Sequence, residues 1–131
     1  MPAAAVSAIL GEWLAAESLL DEGVLLERVR FHDGGLPSLY LRLVKKRAIT
    51  FGDHVWFREA AVGDQARQTN WPLVAHELVH VAQYRRLGAL RFVAVYLRDL
   101  VRARFRYSRQ LPLEAPAYER QRVAEERLGL R

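Results

Sequence analysis

The chain has 131 residues, 51% hydrophobic and 27% charged, with 8 glycines and 5 prolines; this is the size and makeup of one folded domain over residues 1–131 and excludes wholesale disorder. It contains no cysteine, which removes disulfides, thiolate metal sites and thiol catalysis and leaves His, Asp and Glu as metal ligands. The formal charge of +5 would draw polyanions, yet 18 of the 20 basic residues are Arg, a bias that a GC-rich genome or a heat-adapted surface explains as readily as phosphate binding, so no nucleic-acid partner is expected.

Residues 3–20 carry Val6, Ile9, Leu10, Trp13, Leu14 and Leu20 at a spacing that predicts a helix with one buried stripe, ended by Asp21-Glu22-Gly23. Glu12 and Glu17 interrupt the run and no basic start precedes it, so the expectation is a core helix, no secretory signal, no membrane span and a cytoplasmic location. Next, Leu26, Arg28 and Arg30 alternate with Val29 and Phe31 before Asp33-Gly34-Gly35, which predicts a strand and a turn. A short helix follows from Leu36, with Pro37 near its start and Leu39, Leu43 and Val44 on one face.

The stretch AITFGDHVWF, residues 48–57, is β-branched and aromatic and is broken by Gly52-Asp53, the pattern of a hairpin. Residues 58–69 show no periodicity and are expected to form a loop. A helix should then start after Thr69 or Asn70 as N-cap, tolerate Pro72 in its first turn and stop at Gly88. The helix expected over 89–106 has Leu90, Val93, Leu97, Leu100 and Val101 on one side; Arg91, Arg98, Arg102 and Arg106 on another read as a solvated face. A last helix runs from about Pro112 to Gly129. The fold class is therefore α+β, mostly helical, with a small antiparallel hairpin or sheet beside the 72–87 helix.

That helix contains PLVAHELVHVAQY, residues 72–84. Side chains four apart share a helix face, so His76 and His80 can aim two imidazole nitrogens at one ion, zinc by the character of the ligands. Glu77 lies one position round the helix, outside that coordination corner but able to serve as general base to a metal-held water. A catalytic zinc wants a third protein ligand. A glycine and a histidine three and six residues beyond His80 would complete the metzincin pattern, but Gln83 and Arg86 stand there. A glutamate from a later helix is the gluzincin alternative, and PLEAPAYE offers Glu114 and Glu119; Glu114 is preferred because Ala117 and Tyr118 follow it at i+3 and i+4. Tyr118, or else Tyr107, is the candidate donor to a developing oxyanion. Gln83 and Tyr84 read as helix packing before ligand orientation, and His32 and His54 as structural hydrogen-bonders.

In order and spacing, VRFHDG, AITFGDHVWF, LVAHELVHVAQY and PLEAPAY resemble the small zincin-like metallopeptidase domain found beside bacterial extracellular contractile injection systems, over about residues 28–119. The resemblance implies zinc on His76, His80 and Glu114, with Glu77 as the base. The reading of the residues adds the expectation of a minimal gluzincin-like domain in which a peptide or protein substrate pairs with the edge of the 48–58 hairpin. Pro116 departs from the family's pattern just after the glutamate. The alternative is a catalytically silent zinc-binding interaction module that partners other proteins in a larger assembly.

Overall fold

The computed structural model describes residues 3–21, 24, 26–104 and 106–130, with side chains from residue 8 onward. In chain order these form α1 (Ala3–Ala16), β1 (Arg30–His32), α2 (Leu36–Val44), β2 (Ala48–Phe51), β3 (His54–Phe57), α3 (Ala60–Gly63), α4 (Trp71–Leu87), α5 (Ala89–Arg102) and α6 (Ala115–Arg127). The α+β class holds: helices dominate and one small sheet stands beside them. The sheet has the order β1-β3-β2; β2 and β3 form the expected antiparallel hairpin, with Thr50 opposite Val55, while β1 adds to β3 in parallel.

The motif helix α4 lies at the centre. Its sequence is apolar on nearly every face, and a helix of that kind must be interior. Every side chain from Trp71 to Val81 is buried, as are Gln83 and Tyr84. The neighbours that cover α4 are α6, which shares the largest interface, β2 and α5. Leu10 and Leu14 of α1, Val55 and Phe57 of β3, and Ala124 of α6 join the α4 side chains in one hydrophobic core. Gly63, at the end of α3, abuts Phe57 so closely that an added Cβ would sit 2.5 Å from the ring. Because Phe57 is itself locked in the core at 1% exposure, Gly63→Ala is expected to cost ~1–3 kcal/mol through overpacking, measured by urea denaturation.

Several expected boundaries move for local reasons. The first helix stops at Ala16 because Ser18 turns left-handed (φ 57°) and the Leu19 N–H closes onto the Leu14 carbonyl at 2.7 Å. The Val6 side chain, and Glu22 and Gly23 of the expected stop, lie outside the described residues. The strand expected around residue 30 shrinks to three residues after a 3-10 turn, Leu26–Arg28. Asn70 does precede α4, but its amide does not cap it; it donates to the Ala61 and Asp64 carbonyls at 2.8 and 2.9 Å, and Trp71 Nε1 donates to the Gln65 carbonyl at 2.9 Å. Those bonds order the 58–69 segment, which contains α3 and a second 3-10 turn instead of a featureless loop. Gly88 ends α4 as expected, its N–H on the Tyr84 carbonyl.

The apolar stripes of two helices face away from the core. In α2 the buried residues are Ser38 and Leu41, whereas Leu39, Leu43 and Val44 are exposed. Ser38 is drawn inward because its hydroxyl donates to the Phe57 carbonyl at 2.8 Å, which ties α2 to β3. In α5, which ends at Arg102, Phe92 and Asp99 are buried while Leu90, Val93, Leu97 and Val101 are exposed. The last helix begins at Ala115, with Pro116 inside its first turn, where proline needs no hydrogen bond. No helix among the described residues is long and apolar enough to cross a membrane.

Candidate metal centre

One turn of α4 separates His76 from His80, and their rings meet edge to face, with centroids 5.2 Å apart. Glu114 arrives from the turn before α6, 34 residues beyond His80. Its Oε1 lies 2.9 Å from His80 Nε2 and 3.6 Å from His76 Nε2. Metal–ligand bonds of about 2.0–2.1 Å in tetrahedral array put ligand atoms ~3.3 Å apart, so the observed separations suit one small divalent ion. The three ligand atoms lie within 4.8 Å of one another and all three residues are buried. Glu119, the other candidate, points elsewhere: its exposed carboxylate pairs with Arg122 on its own helix.

The tautomer of His80 follows from its neighbours. Gln83 Nε2 donates to the Leu113 carbonyl at 2.9 Å, which turns the amide oxygen toward His80, and Nδ1 of His80 lies 2.9 Å from that oxygen. An amide oxygen only accepts, so Nδ1 carries the proton and the Nε2 lone pair is left for a metal. Leu113 immediately precedes Glu114, so the same glutamine joins the two ligand-bearing segments. Gln83 thus orients a candidate ligand, where the sequence favoured helix packing for it. Gln83→Leu is expected to weaken metal affinity ~10–100-fold, measured against a competing chelator. His76 Nδ1, by contrast, is buried without a hydrogen-bond partner.

Electrostatics at the centre follow from burial and pairing. Burial alone would lower the His80 pKa, but the hydrogen bond to Glu114 and the charges of Glu77 and Glu114 outweigh it and raise it. Burial would raise Glu114, yet contacts from His76 and His80 hold its carboxyl well below the usual range. Both shifts favour the charged form of the group concerned over its neutral form. The second oxygen, Oε2, accepts from Tyr96 at 3.0 Å; burial first, then the Glu114 charge, pushes that phenol upward.

Glu77 stands beside the three candidate ligands, Oε1 4.0 Å from His76 Nε2, and is 4% exposed. Thr50 of β2 donates its hydroxyl to Oε2 at 2.6 Å. Thr50 and Tyr96 are the site residues that sequence reasoning missed. For Thr50 a signal existed: Ala48 and Thr50 alternate onto the hairpin face that β2 turns to α4. Tyr118 packs its ring edge-on against His76, centroids 4.5 Å apart, and its hydroxyl lies 2.6 Å from that of Tyr107. Tyr84 is a packing residue, stacked on Phe92 at 3.8 Å. His32 and His54 bond to each other at 2.9 Å and stack with Trp56, away from the centre. The centre opens into a cleft of about 630 Å³ bounded by β2, α5 and the tyrosine pair.

Residues 15–88, more than half the chain, match the family described as the eCIS core domain. The matched region includes His76, Glu77 and His80 and stops before Glu114. No curated protein and no solved structure matches the chain.

Proposed function

The chain belongs to the family of the eCIS core domain, and from that premise and the buried centre we propose that it is a zinc-dependent peptidase acting in the setting of an extracellular contractile injection system. The observation that carries this reading is Glu77: a buried carboxylate beside the His76–His80–Glu114 trio, outside it, and held by Thr50. A divalent ion bound by the trio supplies Lewis acidity, polarising a carbonyl and acidifying water.

The chain's own residues do the rest. Thr50 occupies Oε2 of Glu77, so Oε1, the oxygen facing His76, is the one that takes a proton from the attacking water and returns it to the departing amide nitrogen. β2 is one of the two edge strands of the sheet, and its Ala48, Ile49 and Thr50 line the cleft. An extended peptide can pair with that edge and present its scissile carbonyl over the centre. Tyr118, oriented by Tyr107, is placed to donate to the developing oxyanion.

The test is to load the purified chain with zinc, count metal per chain, and look for cleavage of an unfolded protein by mass spectrometry. New peptide termini that vanish with chelator and return with zinc support a peptidase. A fully loaded chain that cuts nothing overturns it in favour of the silent assembly module. That second reading has its own observation: Leu36, Leu43 and Leu90 are 81%, 75% and 90% exposed, as apolar side chains awaiting a protein partner would be.

A further inference from the structure

The cleft carries a charge pattern that the chemistry above does not use. Lys45, Lys46 and Arg47, on the turn from α2 into β2, and Arg109, on the segment before α6, all line it. Among the described residues none of the four makes an ion pair with a carboxylate. Glu77 and Glu114 do not call on them, being satisfied by Thr50, His80 and Tyr96.

Two of these cations are placed close to the metal pole. The Arg109 guanidinium lies 4.8 Å from the centroid of the Tyr118 ring, the ring that packs on His76. Lys46 Nζ lies 4.2 Å from the centroid of Tyr107, whose hydroxyl meets Tyr118. Lys45 occupies the left-handed position after α2 (φ 59°), where glycine is the relaxed choice. The same cleft is lined by Val93 and Leu97 of α5, exposed members of its apolar stripe, and by the half-buried Leu100.

We propose that the cleft selects peptide segments in which acidic side chains flank a bulky apolar one. The proposal rests on the peptidase reading for its choice of a peptide as occupant. The acidic groups meet the cations on the rim, the apolar side chain covers the α5 stripe, and cleavage falls within or beside that segment. Charge complementarity of this kind raises the encounter rate, rejects basic sequences and weakens with salt.

The experiment uses the zinc-loaded Glu77→Gln chain as a trap, with labelled peptides that share a central leucine and differ only in flanking Glu, Gln or Lys. Anisotropy is expected to give the acidic peptide an affinity ~10-fold or more above the basic one, narrowing as salt is added. Reversing charge with Lys46→Glu and Arg109→Glu should invert the order. The pair Lys45→Glu and Arg47→Glu repeats the reversal away from the tyrosines, with metal content and circular dichroism verifying the fold. Equal affinity for acidic and basic peptides, no binding of any, or an order untouched by both reversals overturns the proposal. So does a single-stranded oligonucleotide that binds more tightly than the acidic peptide. Selective binding by the trap with no cleavage by the zinc-loaded parent chain supports the acidic preference and overturns the peptidase reading instead.

Discussion

Glu77→Gln is expected to lower peptide hydrolysis by ~10²–10⁴-fold, the range a positioned general base contributes. The substitution keeps volume and shape, and the amide oxygen can still accept the Thr50 hydroxyl that now bonds Glu77 at 2.6 Å. The fold and the metal should therefore persist. What disappears is a side chain able to take a proton: an amide does not become a base at neutral pH. Turnover per bound metal, measured beside metal content, separates the effects. A fall in rate at constant metal identifies Glu77 as the proton carrier, whereas a parallel fall in both would place it among the ligands. Unchanged turnover with full metal would remove Glu77 from the reaction.

Glu114→Ala is expected to weaken metal binding by more than the ~10–100-fold that loss of an outer-shell partner brings, because it removes a ligand outright. It also strips His80 Nε2 and the Tyr96 hydroxyl of their common partner. Chelator competition gives the affinity. Nuclear magnetic resonance of the metal-free chain gives a second readout: Glu114 helps to raise the His80 pKa against the pull of burial, so the ring should titrate at lower pH in the variant than in the parent. Glu119→Ala, which removes an exposed carboxylate paired with Arg122, should leave both measurements unchanged. If Glu119→Ala sheds the metal and Glu114→Ala keeps it, the third ligand has been misassigned.

These contrasts trace how far the linear chain could be read. The pairing of His76 with His80 was legible because the helical repeat alone brings i and i+4 together. Pro72 and Gly88 bounded α4 by the same local physics, and Gly52, at φ +62°, made the hairpin turn. The preference for Glu114 over Glu119 rested on a small residue and a tyrosine following it, and the packing of α6 on α4 agrees. The stripes on α2 and α5 were legible as stripes but not as surfaces. A 3.6-residue period reports that one face is apolar and does not say what, if anything, covers it.

By itself the sequence determined an α+β domain whose central helix holds two imidazoles and a carboxylate at set angles, since backbone geometry over one helical turn needs no distant partner. Only the tertiary structure decided the rest. It brought Glu114, Thr50 and Tyr96 to that turn from other elements, set the His80 tautomer through Gln83 and Leu113, and left part of the α5 stripe and four basic side chains lining one cleft. Contacts between residues far apart in the chain arise from how helices and strands pack, and no local spacing encodes them.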